Sequence, residues 1–579
     1  MSLNSALQIG RSALSASQLG IQVAGNNMAN AGTVGYSRQV TNLEALRGDQ
    51  TTPGGGAGRG VRVTSIRRQV DDAMQARLLG SSADAAAAQT QRRIFEQVES
   101  TLGELGDNDL SNELAGFFRV FSERANNTKG NAAVVQQGDK LAGFMRGLRS
   151  ELIDQRKQID QQVSGAVAQA NQLLSSIAKL NTAISSSEGT GTPANTLRDE
   201  RDRAVASLSE IMEVSVIDRG LGGVDVLVGS APILLGENAK RLEARTVSVD
   251  GTASVKVYTA GDRGEELNIS GGEIGSLLLN RGGALDATVA RLDTLASQLI
   301  FEMNKVHATA TNAAGLTRTS SALSIGTADR SLPMNDAANE TFAGLPFTPV
   351  NGGFVVNIRQ QATGAVQSVR LNIDLDGITA TGMVGTDDDT TPEDLRAALD
   401  ALDGLSATFS AEGKLQLTAA NGFDFSFSDD SSGVLGALGV NAYFAGLDAT
   451  DIAVRADLRS DPSKLSAGRI VNGQFIDNAA MLAMTNVQQA GLTVLGGVSI
   501  TEHWRDTSAQ VSGGTAAAKG NAAARELVHE GLLSQRDALS GVNIDEESIS
   551  LMDFQRQYQA AARVISTVDQ MTQTLFSIL

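Results

Sequence analysis

Three histidines, no cysteine and a run of aspartates are the raw material from which this chain could build a reactive site. His307, His503 and His529 lie far apart in sequence. None has a second ligand at the spacing that sets two imidazoles on one helix face in an HExxH arrangement. Each is expected at the surface or half-buried. Without cysteine there is no thiolate nucleophile, zinc-thiolate site or disulfide, and no GxSxG elbow offers a serine nucleophile. The stretch "GGGAGRG" (54–60) lacks both the Gly-Lys-Ser/Thr of a phosphate loop and the spacing of a dinucleotide fingerprint, so it reads as a connector. "GTDDDTTPEDL" gathers Asp387, Asp388 and Asp389 and invites calcium, but the ligand spacing and glycine of an EF-hand loop are missing. Local helix chemistry accounts for it better: Thr391 as N-cap, Pro392 in the first helical position, Glu393 and Asp394 favouring the helix dipole. Trp504, the single tryptophan, reads as a buried indole in a helix contact. No catalytic residue, metal ligand or cofactor is expected, and the chain does not read as an enzyme.

The elements that would have to position any site carry more information. At 579 residues the chain exceeds one core and suggests three or four domains, at roughly 150 residues each. Apolar residues make up 41% and aromatics 4%, beside 61 glycines, which predicts cores of Ala, Leu, Val and Ile. A net charge of -18 argues against nucleic acid and anionic membrane as partners. No stretch approaches the ~18 apolar residues of a membrane span, and the N-terminus has neither the basic nor the apolar region of a cleaved signal. The expectation is a cytoplasmic protein or one exported by a route that reads no cleaved signal.

Both ends of the chain carry a heptad seam. At the N-terminus it runs Leu3, Leu7, Gly10, Leu14, Ser17, Ile21, Ala24 and Met28, with small Gly10, Ser17 and Ala24 admitting a partner backbone. At the C-terminus it runs Leu551, Phe554, Tyr558, Ala561, Ile565, Val568, Thr572, Leu575 and Leu579, with Met552, Val564 and Met571 beside it. The bulkier seam complements the smaller one. Two helices cover only one stripe of each other, so the remaining apolar surface calls for neighbours from other copies.

"SLNSALQIGRSALSASQLGIQVAGNNMANAGTVGYSRQV" and "SGVNIDEESISLMDFQRQYQAAARVISTVDQMTQTLFSIL" resemble the two ends of the axial proteins of the bacterial flagellum, those of the rod, hook and hook-filament junction. Within that family the turn motif Gly35, Tyr36, Ser37, Arg38 and Gln39 looks like that of the hook-associated junction proteins. The segments "LSNELAGFFRVFSERANN" from Leu110 and "NTLRDERDRAVASLSEIMEVSV" from Asn195 are similar to the helix pattern of the same branch. Val34 departs from it, standing where the family commonly has Pro before the Gly. The resemblance implies a structural, self-assembling protein of the flagellar hook-filament junction, secreted to the cell exterior. Its implied partners are the hook protein below, a second junction protein, other copies of itself, and a cytoplasmic export chaperone that binds the C-terminal seam.

The interior fits an α+β protein: terminal coiled-coil helices and a long helical bundle with inserted β-rich domains. Residues 72–212 read helical, with Val163, Ala166, Ala170, Leu173, Ile177, Leu180 and Ile184 as one apolar stripe. "VSVID", "VDVLV" and "VKVY" give a small β insertion, and a helix returns at "GGALDATVARLDTLASQLIFEMNKVHATATNAAG". Short strands with Gly413 and Gly422 in hairpin turns follow. The expected division is 1–45 plus 544–579 as the inner-core helices; 46–212, 262–315 and 465–543 as a mainly helical domain; 213–261 as the small insertion; and 316–464 as a β-rich outer domain. A hook or rod subunit is the alternative within the family. A secreted adhesin with a ligand-binding β-domain is the alternative outside it.

Overall fold

A computed structural model describes residues 3–47, 58–103, 106, 109–127, 129–189, 193–220, 222–249, 252–261 and 264–578. Leu579 of the C-terminal seam and residues 54–57 of the glycine stretch lie outside them. The protein is α+β, with long helices and several small antiparallel sheets. It divides into two compact units: 1–93, 158–280 and 516–579 make one, and 94–157 with 281–515 make the other.

The first unit holds both chain ends. The N-terminal helix Leu3–Ala29 packs along the C-terminal helix Ile544–Ile578. A hairpin of Gln39–Ala45 and Val61–Arg68 lies against the N-terminal helix. Val61 and Val63 alternate with exposed Arg62 and Thr64 in the second strand, and Gly60 accepts from the Leu46 N–H at 2.8 Å to close the described end of the loop. The stripe of the long helix Asn131–Gly189 that falls in this unit is buried at Val163, Ala166, Ala170, Ile177 and Ile184, with Leu174 in place of the expected Leu173. Buried Asn181 on the same stripe donates to the Val224 and Gly236 carbonyls at 2.9 and 2.7 Å, docking a four-stranded sheet built from 215–239. A two-stranded ribbon, Leu242–Val249 with Thr252–Thr259, completes the small β insertion.

The second unit departs from expectation in its core. Its largest buried side chains are aromatic: Phe117, Phe118, Phe121, Tyr443, Phe444 and Trp504 are all fully covered. Phe117 meets Phe121 and Phe118 edge-on at centroid distances of 4.9 and 5.2 Å. A low aromatic fraction therefore does not mean aliphatic cores throughout, because the few rings are pooled where each buries the most area. Two three-stranded sheets fill the β-rich segment. Gly413 and Gly422 sit at φ +84° and +83°, as left-handed turn residues require. Strands Gly468–Val471 and Gln474–Ile476 form a further hairpin inside the stretch 465–543, part of the segment expected to be mainly helical.

Candidate assembly surface and its polar clasp

The terminal helices run antiparallel, and the small residues fix how closely. A Cβ added to Gly10 would sit 2.8 Å from Ile565 Cγ1, and one added to Gly20 would sit 2.6 Å from the Phe554 ring. Gly10, Ser17, Gly20, Ala24 and Asn27 are the buried stripe of the N-terminal helix. Of the expected seam, Gly10, Ser17 and Ala24 face the C-terminal helix, while Leu3, Leu7, Leu14, Ile21 and Met28 are only half-buried. On the other helix the covered positions coincide with the expected seam: Ala561 and Val568 are buried, and Leu551, Phe554, Ile565 and Thr572 half-buried. Tyr558 and Leu575 are exposed. Two apolar flanks remain open. One is Leu7, Leu14, Ile21 and Met28, each a heptad apart; the other is Val564, Met571 and Leu575.

At the end where the chain leaves the N-terminal helix, the motif 35–39 is tied down residue by residue. Tyr36 N donates to Thr33 O at 3.1 Å across a turn whose third residue, Gly35, has φ +78°. That is the type II pattern, which favours Pro in its second position. Val34 occupies that position here and is 85% exposed. Buried Ser37 donates its N–H to Asp199 at 3.4 Å. The Arg38 N–H donates to the Ser540 carbonyl at 2.9 Å, and its guanidinium holds Glu547 at 2.6 Å and Glu546 at 3.0 Å. Gln39 opens the first strand of the hairpin.

The centre of this clasp is Asn27, 1% exposed. Its Oδ1 accepts from the Tyr36 hydroxyl at 2.8 Å and the Gln39 N–H at 3.0 Å. Its Nδ2 donates to the Gln39 carbonyl at 2.8 Å and to Glu547 Oε2 at 3.0 Å. Both donors and both lone-pair sites of the amide are used. Glu547 is itself 3% exposed and sits in the first turn of the C-terminal helix, where a carboxylate also suits the helix dipole. Burial, with the Asp199 and Glu547 carboxylates nearby, pushes the Tyr36 phenol up to about 12. Behind the motif, Arg68 Nη1 bridges Asp199 and Asp202 at 2.7 Å each, and Asn195 donates to Gln39 Oε1 at 3.4 Å. The Asn195 helix thus anchors the motif. Asn27, Asp199 and Glu547 escaped the sequence reading: the bonds from Asp199 and Glu547 to Ser37 and Asn27 span 162 and 520 residues, and those from Asn27 to Tyr36 and Gln39 span 9 and 12 without a local pattern to mark them.

The residues considered for chemistry are dispersed. His307, expected at or near the surface, is instead 1% exposed: it lies on the inner face of Ala287–Ala308, its Nδ1 2.5 Å from the Asn441 carbonyl, and burial lowers its pKa to about 4. His503 and His529 are half-buried, the latter 3.1 Å from the Ser81 hydroxyl. Trp504 is wholly buried in the helix Ile500–Ser540. Thr391 caps its helix, with Pro392 following and Asp394 completing a reciprocal capping box. Among the described residues no helix is long and apolar enough to cross a membrane.

Residues 95–320 match the family model "Flagellar hook-associated protein FlgK helical domain", and residues 534–578 match "Flagellar basal body rod FlgEFG protein C-terminal". The chain is 26% identical over 589 residues to flagellar hook-associated protein 1 of Escherichia coli (strain K12), covering 100% of both chains. The protein of the same name from Salmonella typhimurium is 26% identical over 592 residues, again with full coverage of each. That of Bacillus subtilis is 29% identical over 226 residues, 38% of this chain and 45% of the relative. Among solved structures, the flagellar hook junction protein FlgK from Burkholderia pseudomallei is similar at a TM-score of 0.48 and 14% identity, over 80% of this chain and 100% of that one. The likeness to the Escherichia and Salmonella proteins runs from end to end, and the second family model falls on the helix that carries Glu547 and the bulky seam: over its whole length the chain is similar to flagellar hook-associated protein 1.

Proposed function

We infer that this protein is a structural component of the bacterial flagellum that joins hook to filament, acting by packing rather than by catalysis. The observation that carries the mechanism is the pair of open flanks. The two terminal helices use their small residues on each other and leave Leu7, Leu14, Ile21 and Met28, with Val564, Met571 and Leu575, for neighbours. A heterologous contact, in which one flank meets a different flank of the next copy, repeats along a helical array without closing on itself.

In this reading the seams of both helices are assembly surfaces, and the clasp at Asn27 fixes the angle at which the pair is presented. The partners are hook protein on one side, a second junction protein on the other, and copies of this chain laterally, all outside the cell. Before export, a chaperone groove would take the C-terminal helix through Phe554, Tyr558, Ile565 and Val568. Phe554 and Ile565 contact Gly20 and Gly10, so chaperone and N-terminal helix would compete for one face.

Flagella of a strain lacking this chain test the proposal. Hooks without filaments, together with filament protein shed into the medium, are expected. Filaments attached as in the parent strain would overturn the junction reading.

A further inference from the structure

Strand Val366–Ile373 ends at Asp374, from which the chain makes an excursion and returns to Asp389 and Thr390 beside its start. The base is closed by Asp374 N donating to Thr390 Oγ1 and Thr390 N donating to Asp374 O, both at 2.8 Å. Ile378 bridges Val384 further out. Asp389 is 2% exposed. Its Oδ2 accepts from Asn335 Nδ2 at 2.6 Å and from the Gly377 N–H at 3.2 Å, while its Oδ1 has no hydrogen-bond partner. One carboxylate oxygen from each of Asp374, Asp376 and Asp389 lies within 4.8 Å of the other two. None of the three is in an ion pair with Lys, Arg or His among the described residues.

We propose that Asp374, Asp376 and Asp389 bind a calcium ion that pins the base of this excursion. A buried carboxylate oxygen without a donor is costly, and three like charges crowded together add to the cost. A cation offsets both. The donor set is all carboxylate oxygen, which selects a hard ion over zinc or copper. Oxygens bound to one calcium at roughly 2.4 Å lie no more than about 4.8 Å apart, and the three oxygens meet that limit. Two of the three donors are solvent-exposed, leaving room for water. Calcium accepts a few carboxylates and several waters in a flexible arrangement, whereas magnesium demands near-ideal geometry. Asp387 and Asp388 stay outside the cluster, which is why the contiguous aspartates do not show the site: its other two ligands stand at the start of the excursion, on the opposite limb of its base. Asn335 and the Gly377 N–H act as positioning groups by holding Asp389 Oδ2. The ion would stiffen a tip where Met383 and Val384 are 64% and 96% exposed.

Titration of the full-length, chelator-stripped chain with calcium chloride alone and with magnesium chloride alone, read by calorimetry and by amide exchange over 374–390, tests the site. The expected result is one saturable calcium site per chain, of the roughly 10⁻⁴ to 10⁻³ M class typical of extracellular modules. Exchange over 374–390 should slow when it fills. Asp374→Asn/Asp376→Asn changes only exposed carboxylates and relieves their mutual repulsion, so its melting temperature without calcium should be at or above that of the parent, while calcium affinity should fall about tenfold or more, as for loss of groups around a metal. No saturable binding well above that range, undiminished binding by the double variant, or magnesium binding as tightly as calcium would each overturn it.

Discussion

Replacing Asn27 with Ala removes four hydrogen bonds at one buried position. Three join neutral groups, at about 0.5–1.5 kcal/mol each net, and the fourth reaches a carboxylate, at about 1.5–3 kcal/mol. The terms do not simply add, because the bonds share one network. Arg38 still holds Glu547 at 2.6 Å, and half-buried Gln39 can recruit water. The expected cost is therefore near the low end of the sum, about 3–4 kcal/mol. It should appear as opening of the clasp rather than as global unfolding, since Asn27 touches only the motif and the start of the C-terminal helix. Native-state amide exchange is the assay, with the Gln39 N–H as the direct reporter because it donates to Asn27 Oδ1. A loss of 3–4 kcal/mol corresponds to roughly 10²–10³-fold less protection there, at about 1.4 kcal/mol per decade. Tyr36→Phe is the internal control: it deletes one neutral bond and should cost about 1 kcal/mol. Protection of Gln39 in Asn27→Ala within a few fold of the parent would refute the reasoning. So would a Tyr36→Phe variant as damaged as Asn27→Ala, which would move the centre of the clasp from the amide to the phenol.

Gly20→Leu drives a side chain into the Phe554 ring, 2.6 Å from the first added carbon, and should cost about 1–3 kcal/mol in every copy; filament attachment and swimming are expected to fail together while export continues. Val34→Pro places proline where a type II turn prefers it and should raise stability by about 0.4–1 kcal/mol in urea unfolding, with a fall showing the turn to be of another type. Burial depresses the His307 pKa from 6.5 to about 4, so the fold favours the neutral ring. That contribution is intact above pH 6.5 and is lost as pH falls through 4, a total of about 3 kcal/mol. Urea midpoints measured across that window should fall less steeply in His307→Leu than in the parent, and parallel slopes would count against it.

The C-terminal helix was the more legible because most of its expected seam is covered: Leu551, Phe554, Ala561, Ile565 and Val568 answer to period and burial alike, while Tyr558 and Leu575 answer to period alone. In the N-terminal helix the two stripes separate. Periodicity selects Leu7, Leu14, Ile21 and Met28 together with Gly10, Ser17 and Ala24, but only the small three are buried, and the buried line continues through Ala16, Gly20, Val23 and Asn27, each one residue before a seam position. Gly20 follows Ser17 by the three-residue step of a heptad, a signal present in the sequence but masked by the larger neighbour Ile21. Asn27 gave no such signal, since buried polar groups are chosen by partners that the fold alone brings together. Strand Gln39–Ala45 escaped notice for a similar reason: its partner begins at Val61, beyond a glycine-rich loop, and no tight turn marks the hairpin. The small β insertion and the two glycine turns were readable because their alternation and φ demands are local.

The separation of the two stripes has a consequence for how such a subunit can be both a stable monomer and a sticky building block. A helix pair held by its largest apolar residues would have little left to offer a neighbour. Here the small residues are spent inside the chain, where they add close contact but little buried area. Register and crossing are set instead by directional bonds at one end, through Asn27, Arg38 and Glu547. The seven larger side chains on the two flanks keep part of their area for association. If each gains roughly 1 kcal/mol on losing its remaining exposure, the flanks together supply about 7 kcal/mol per subunit before ordering costs. That is weak for one contact in solution and ample when repeated around and along an array. On the assembly reading proposed above, such a subunit would stay dispersed until a growing end presents several complementary flanks at once.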